Sequence, residues 1–498
     1  MGGTARSAAP MNKGLRSDAL GLVEGVVIGV ASTAPAYSLA ASLGFVVIAV
    51  GAQAPAIMLL AFFPMAAIAA AYYYMNRIDP DCGTAFSWAT RALGPWVGWI
   101  TGWALLISGI VVIANLAEIA SLYTYYLLGI EEPDQAAVLA LGVAWIAALT
   151  TVCYIGVKLA ARMQLVLLTI EITTLLAFTV VALSRVYTDP PDGAMLPTLD
   201  WLNPFLMTDW GAFATAMVLA LFIYWGWDSA VSVNEETRDA TETPGRAAVI
   251  STFLLLVIYV GAAIAVQAFA GVDFLADETN AEDVLAALGT QVLGSPWDKI
   301  LIFSVLTSAA ASTQTTILPN ARSLLSMATK QAIPGWFGKV HPRFKTPGNA
   351  TIALGAVQIA WYVGLTLVSQ NLLYDAIAAL GLLIAMYYGA TGYACVVYYR
   401  HELRKSATNL VMIGLVPLAG AVVLTWAFVQ SILELSDPES SYSGELLGIG
   451  APVTITVLLL ALGVVLMVGW RVARPGFFRR HTEVLGSPSQ DELPPVTA

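Results

Sequence analysis

The stretch Ile28–Ala40, IGVASTAPAYSLA, lies in the middle of an apolar run that covers residues 19–50. Pro35 has no N–H to donate, and its ring clashes with the preceding turn of a helix. The hydroxyls of Ser32 and Thr33 compete for backbone groups and weaken the helix further. The stretch therefore predicts a membrane helix that is interrupted near its centre, although a simple proline kink is the plainer interpretation.

A second run, residues 211–233, contains a similar stretch, FIYWGWDSAVS, with Gly226 and Asp228 at its centre. An aspartate at that depth costs about 2.5–3.5 kcal/mol on membrane-insertion scales. The alternative is a glycine that serves only helix packing. The two stretches lie five runs apart, and a five-helix repeat has an odd number of spans, so its second copy must be inverted. The two interruptions would then meet near the bilayer midplane, where freed N–H groups bind a carboxylate and freed carbonyls bind an ammonium or a cation.

The composition fits a membrane protein and excludes a soluble enzyme. Of 498 residues, 58% are hydrophobic and 11% are charged, whereas soluble domains are about 25% charged. A spanning helix needs about 20 largely apolar residues. We therefore predict an all-α polytopic membrane protein with twelve transmembrane helices, at residues 19–50, 54–75, 95–128, 136–156, 163–184, 211–233, 247–271, 297–321, 349–368, 371–399, 410–433 and 452–473.

The basic residues fix the expected orientation. All of the 23 lysines and arginines except Arg185 and Lys299 lie in every second polar segment, counted from the N-terminus. Because basic residues stay on the cytoplasmic side, we expect an integral plasma (inner) membrane protein with both termini in the cytoplasm. A net charge of −10 argues against nucleic acid as a partner. The three cysteines and three histidines form no cluster, so no metal site, no cofactor and no enzyme chemistry is expected.

Five stretches carry a family resemblance. They are PDCGTAFSWATRALGPWVGWITGW (Pro80–Trp103), GVKLAARMQ (Gly156–Gln164), FIYWGWDSAVSVNEETRDATETPGRA (Phe222–Ala247), ARSLLSMATKQAIPGWFGKVHPRFKTP (Ala321–Pro347) and IGVASTAP. The chain resembles the amino acid–polyamine–organocation superfamily of permeases, and its first helix is closest to the putrescine-importer branch. Helix 1 lacks the family's G-S-G-I-F stretch, and Cys82-Gly83 and Lys330-Gln331 replace its glycine pair and its D-G pair.

The resemblance implies a LeuT-type fold, with two inverted five-helix repeats and discontinuous helices 1 and 6, that works by alternating access. It divides the chain into a cytoplasmic N-terminal tail (1–18), a first repeat (19–184), a second inverted repeat (185–399), helices 11 and 12 (400–474) and a disordered cytoplasmic tail (475–498). It also implies that the substrate contacts Ala31, Ser32, Thr33, Ala34, Gly109, Ile113, Phe222, Ile223, Trp225, Gly226, Ser312 and Thr316.

The eighth predicted run, residues 297–321, suggests a site independently of the resemblance. Its stretch SAAASTQTTI places Ser308, Ser312 and Thr316 four residues apart and so on one helix face. Small hydroxyl residues also mediate close packing between membrane helices. Both interpretations remain open at this point.

Several acids lie inside or beside apolar runs: Glu24, Glu118, Glu171, Asp228 and Asp375. No lysine or arginine lies deep in a run, so these acids must be protonated, hydrated or paired with an incoming proton, metal cation or ammonium. The alternative for Glu24 is a place at the inner interface, and Glu118, near Asn115, would line the pathway and attract an amine.

The resemblance aligns Glu171 with a position that is often lysine and that faces the helix 1 interruption and the hydroxyls of Ser312 and Thr313. We therefore expect Glu171, together with Asp228 and Thr313, to couple transport to a proton or sodium ion. The alternatives are a hydrogen-bonded structural role for Glu171 and bonding of Asp228 to the interrupted backbone.

These observations predict a secondary active transporter that imports an amino acid with H+ or Na+ as the coupling ion. An amino acid satisfies both the freed N–H groups and the unpaired acids. An importer or exchanger of a polyamine or other small organic amine is the alternative. A transporter-like nutrient sensor and a channel are more distant ones. Besides the substrate and the bilayer no partner is implied, and the oligomeric state stays open.

Overall fold

The computed structural model describes residues 13–130, 132–207, 209–281, 283–369 and 371–479. Within them the chain is almost wholly helical. In the first half the helices are α1 (Leu22–Ser32), α2 (Pro35–Val50), α3 (Ala54–Ile78), α4 (Ala85–Leu93), α5 (Pro95–Leu127), α6 (Gln135–Ile155), α7 (Val157–Thr188), α8 (Trp210–Ile223) and α9 (Ser229–Ser232).

The second half continues in the same way, and the helices of this half are α10 (Thr243–Leu275), α11 (Glu278–Ala281), α12 (Val284–Leu293), α13 (Asp298–Thr329), α14 (Gly348–Val368), α15 (Asn371–Tyr398), α16 (Ala407–Asn409), α17 (Val416–Leu435), α18 (Ala451–Ala473) and α19 (Gly476–Arg479). A π-helical segment, Leu410–Leu415, joins α16 to α17. Two-residue strands, β1 (Glu445–Leu446) and β2 (Ile449–Gly450), form an antiparallel hairpin.

Each of the twelve predicted runs coincides with helix. By length and apolarity ten segments of the described residues qualify as membrane spans, and the first, Leu22–Ile78, contains α1 to α3 and so two of the predicted runs. The predicted run at 211–233 is the short helix α8 followed by a turn and α9. The protein is therefore a polytopic all-α membrane protein, as predicted. The short apolar helix α12 was not predicted as a separate element.

Both predicted interruptions are present in the structure. The first helix ends at Ser32 and resumes at Pro35, which is the first residue of α2, the position that proline favours. Ala34 between them has φ +47°, a left-handed conformation that costs a residue with a side chain about 1–3 kcal/mol. In the second interrupted helix, α8 ends at Ile223 and α9 begins at Ser229.

Packing places the interruptions at the centre of the bundle. The helices α5 and α13 are the most buried, whereas α6, α7 and α14 turn most of their side chains outward. Both interrupted helices pack against α10 and α13. The backbone groups freed by the interruptions therefore lie inside the protein, where each of them needs a partner.

The predicted disorder of the tail from residue 475 is wrong for its first turn. Residues Gly476–Arg479 form α19. The ring centroid of Phe477 lies 5.9 Å from that of Phe86, and that of Phe478 lies 4.8 Å from that of Trp96. Burial of this apolar surface is the reason for the ordered turn. Residues 480–498 lie outside the described part, and the boundaries between the proposed repeats stay predictions.

Candidate functional site: the two helix interruptions

The two interruptions are in direct contact. The hydroxyl of Ser32, the last residue of α1, lies 2.8 Å from the hydroxyl of Ser229, the first residue of α9. Gly226 has φ +124° and approaches Ser32 so closely that an added Cβ would lie 2.7 Å from the Ser32 carbonyl oxygen. Ser312 of α13 donates to the same carbonyl at 2.9 Å. Of the predicted substrate contacts, Ser32, Gly226 and Ser312 are therefore brought together.

Hydroxyl groups satisfy the carbonyls that the interruptions free. Tyr259 of α10 donates to the Ile223 carbonyl at 2.8 Å, and its oxygen lies 3.4 Å from the Thr33 carbonyl. Ser38 donates to the Thr33 carbonyl at 2.7 Å. By contrast, the described residues offer no acceptor to the backbone N–H groups of Gly226 and Trp227. The interruption between α8 and α9 thus presents donors that an anionic group of a ligand can use.

Glu171 of α7 places a carboxylate at the start of α2. Its Oε1 accepts the backbone N–H of Ala36 at 2.9 Å and the hydroxyl of Ser308 at 2.7 Å. A helix N-terminus favours an anion. The side chain is fully buried, and Oε2 has no hydrogen-bond partner among the described residues. A buried acceptor without a partner is costly, so this oxygen is a place for a proton or a cation.

The hydroxyl partner of Glu171 is not one that the sequence predicted. Ser312 donates to Ser32, and Thr313 donates to the Ala309 carbonyl of its own helix at 2.9 Å. The side of α13 that carries Ser308 and Ser312, four residues apart, nevertheless points toward the site, because both hydroxyls form hydrogen bonds to other helices.

Three tyrosines surround the carboxylate of Asp228. The hydroxyl of Tyr388 donates to Oδ1 at 2.8 Å, and those of Tyr387 and Tyr72 lie 3.4 and 3.5 Å from Oδ2. The indole N–H of Trp225 donates to the hydroxyl of Tyr387. Asp228 therefore holds Trp225, on the interruption, through a chain of two hydrogen bonds.

The other predicted contacts differ in their surroundings: Ala34 lies in the first interruption, and Ala31 comes one residue before the end of α1. Gly109 and Thr316 adjoin each other beside Asn320, since a Cβ on Gly109 would meet both side chains. Ala31, Ala34 and Ile113 are fully buried. Phe222 lines a small cavity with residues of α15 and α17, such as Ile384 and Leu424.

Each remaining acid has local partners. Glu118 accepts the hydroxyl of Tyr362 at 2.6 Å and the side-chain amide of Gln135 at 3.2 Å. Glu24 is exposed at the start of α1, and Asp375 accepts two backbone N–H groups of the loop before β1. Within the described residues these acids do not adjoin the interruptions.

The sequence places Arg322 just beyond the predicted run 297–321, and in the structure it is a buried base near the end of α13. Arg322 of α13 is 1% exposed, and its guanidinium forms an ion pair with Glu236. It also donates to the Leu318 carbonyl at 3.0 Å. The pair joins the end of α13 to the segment after α9.

Sequence reasoning missed Ser229 and the four tyrosines of the site, Tyr72, Tyr259, Tyr387 and Tyr388. The available signal is that a tyrosine hydroxyl inside a span needs a partner, and that Tyr387 and Tyr388 are adjacent. Neither signal identifies the partner.

Replacing Gly226 by alanine is expected to reduce transport at least tenfold. The conformation alone costs a side chain about 1–3 kcal/mol, and the new Cβ would press on the Ser32 carbonyl at 2.7 Å. Uptake into proteoliposomes measures the effect. Gly364→Ala is the control, because no atom lies within 4 Å of its Cβ position. Equal uptake by the two variants would contradict the close contact.

Comparison with known proteins identifies the family of the chain. A family model of amino acid permeases matches residues 17–451. The chain belongs to the amino acid permease family. It is 28% identical over 424 residues to an uncharacterised transporter of Mycobacterium tuberculosis, covering 83% of this chain and 86% of the relative.

Two further relatives carry named substrates. The branched-chain amino acid permease BcaP of Bacillus subtilis is 24% identical over 63% of this chain and 69% of its own length. The low-affinity putrescine importer PlaP of Escherichia coli is 23% identical over 81% and 86%. The permease is therefore a transporter and not an enzyme.

Proposed function

We propose that this permease imports an amino acid by alternating access and couples uptake to a proton or sodium gradient through Glu171. The observation that carries the proposal is the meeting of two interrupted helices at the centre of the bundle, beside a buried carboxylate oxygen without a partner. Interrupted helices supply substrate and ion sites in transporters of this kind.

Both charged groups of an amino acid find complementary chemistry at the interruptions. The unsatisfied N–H groups of Gly226 and Trp227 suit a carboxylate. An ammonium suits the half-buried ring of Trp225 by a cation–π contact, and the free oxygen of Glu171 by charge. The ring of Trp225 is held in place by Tyr387.

Glu171 also favours a second candidate, the uptake of a polyamine or another small amine. Its carboxylate already accepts the Ala36 N–H at the start of α2, so part of the anion-binding capacity of this helix end is used by the protein itself. A substrate with ammonium groups alone would not compete with it.

Ligand pairs that differ in one group separate the two candidates. Ornithine and putrescine differ only in the α-carboxylate, as do lysine and cadaverine. A thermal-shift assay with the purified permease, at two pH values and with or without sodium, detects binding, because a ligand at 100 times its Kd stabilises the native state by about 2.7 kcal/mol. Stabilisation by the amino acid of each pair supports the first candidate, and stabilisation by the diamine alone supports the second. The proposal fails if neither class binds and none of these solutes is taken up under an imposed gradient.

A further inference from the structure

Residues 13–20, here called the strap, cross the face of the molecule formed by the loops 79–84, 233–242 and 330–347. This face, here called the basic face, is the one predicted to be cytoplasmic. One end of the strap is held by its backbone. Leu20 pairs with Thr237 in a parallel bridge, the N–H of Ala19 donates to the Glu236 carbonyl at 2.8 Å, and the N–H of Arg238 donates to the Leu20 carbonyl at 2.9 Å.

The other end is held by the ammonium of Lys13. Its Nζ lies 2.9 Å from Asp81 Oδ2 and 3.5 Å from Cys82 Sγ, and it also forms an ion pair with Glu235. Only 2% of the lysine side chain is exposed. The ligand atoms of the three partners lie within 4.8 Å of one another. Together they surround the ammonium of Lys13.

Neighbouring charges keep both Lys13 and Asp81 ionised. Burial disfavours the ionised form of Asp81, but the ammonium groups of Lys330 and Lys13 outweigh it and hold the pKa of that carboxyl well below its ordinary value. Burial likewise opposes the charge of Lys13, but its anionic surroundings raise the pKa of its ammonium above the usual range. A buried ion pair of this kind is strongly destabilised when one partner is removed.

The contact joins separate parts of the chain. Asp81 follows α3 and also accepts the hydroxyl of Ser87 at 2.7 Å and that of Ser326 of α13. Glu235 follows α9 and accepts the N–H of Cys82 at 2.9 Å. The strap itself runs directly into α1, which begins at Leu22. On this face the bridge at Leu20 and the ion pairs of Lys13 together tie the chain before α1 to the segments that follow α3 and α9.

We propose that Asp81, Cys82 and Glu235 form a binding site for a primary ammonium group, that Lys13 is its resident occupant, and that this occupation latches the basic face shut between transport steps. The role in transport rests on the proposed function, because alternating access requires each face to open in turn. The existence of the site does not depend on the proposed function.

The contact of Lys13 with Asp81, Cys82 and Glu235 is here called the latch, and the reactivity of Cys82 measures how often it opens. Cys82 is fully buried beneath Lys13, and Cys153 and Cys395 are buried elsewhere in the molecule. Alkylation of the purified permease, resolved by peptide mass spectrometry, measures how often each cysteine is exposed. Lys13→Ala is expected to speed alkylation of Cys82 about tenfold or more and to leave Cys395 unchanged. Arg16→Gln, which removes an exposed cation from the same strap, is expected to match the wild type.

Chemical rescue tests the ligand class. Lys13→Ala removes the equivalent of propylamine, so propylammonium is expected to restore the protection of Cys82 in that variant. The control is 1-propanol at the same concentration, which has the same shape without the charge. Wild-type alkylation rates in Lys13→Ala would overturn the proposal, and rescue by the alcohol as well as the amine would overturn the ammonium site.

Faster alkylation of Cys395 would show that Lys13→Ala unfolds the protein. A disulfide crosslink then tests the latch without that substitution. Leu20 and Thr237 are bridge partners, close enough for a disulfide between cysteines placed there. In Leu20→Cys/Thr237→Cys, oxidation is expected to reduce uptake at least tenfold and reduction to restore it. Full uptake by the oxidised protein would overturn the latch. If the wild-type permease takes up no solute, the proposed function fails. Alkylation of Cys82 in the double variant then tests the latch. It is expected to be slower in the oxidised than in the reduced protein, and an equal rate in both states would overturn the latch.

Discussion

Glu171→Gln is expected to abolish the stimulation of uptake by an imposed ion gradient while it preserves the fold. The amide oxygen of glutamine can keep the bonds from the Ala36 N–H and the Ser308 hydroxyl. Its NH2 group replaces the oxygen that has no partner, and an amide neither takes up a proton at physiological pH nor ligates a cation through nitrogen. In proteoliposomes, the ratio of uptake with an inward proton or sodium gradient to uptake without one is expected to fall to about one.

Glu118→Gln is the matched control. Glu118 is also buried within a span, but both of its oxygens already accept hydrogen bonds, from Tyr362 and Gln135. This variant is expected to keep the gradient dependence of the wild type. Full stimulation of the Glu171→Gln variant by either gradient would refute coupling through Glu171. Loss of stimulation in both variants would show that the effect is not specific to the interruption.

Glu236→Gln is expected to cause a large loss of stability. Removal of one partner from a buried ion pair costs about 3–5 kcal/mol, because the other charge is left without compensation. Here the remaining charge would be the guanidinium of Arg322, which is 1% exposed. Thermal unfolding of the purified permease in detergent measures the loss.

The control for this prediction is an exposed ion pair. Arg246 lies 3.6 Å from Glu242, and 62% of its side chain is exposed. Pairs of this kind contribute about 0–1 kcal/mol, so Arg246→Gln is expected to unfold near the wild-type temperature. If both substitutions had the same small effect, Arg322 would have to be hydrated or paired in another way.

The features that depend on local chemistry could be predicted from the sequence. The apolar runs locate the helices because the bilayer sets their length. Pro35 predicts the first interruption because it has no N–H, and Gly226 marks the second because its backbone adopts a φ that other residues rarely adopt. The contact between the interruptions followed from their five-helix separation, which is a property of the whole chain.

The partners of the buried polar groups could not be predicted in the same way. A membrane helix buried among other helices is apolar on all sides, so its sequence does not reveal how it is rotated. The family resemblance led to the expectation that Glu171 meets Ser312 and Thr313, whereas it meets Ser308, one turn earlier. The same uncertainty hid the tyrosines around Asp228 and the position of Phe222 beside α15 and α17. The order of α19 depends on rings from distant parts of the chain, which no local pattern reveals.

The hydroxyls of Ser38, Ser312 and Tyr259 have a kinetic consequence. A hydroxyl turns about a single bond, so it can release a carbonyl to an arriving ammonium and return to it without any change in the backbone. Such rotations are far faster than the microsecond-to-millisecond movement of whole helices. Rearrangement of these hydroxyls around an arriving solute should therefore not limit the rate of the proposed transport cycle.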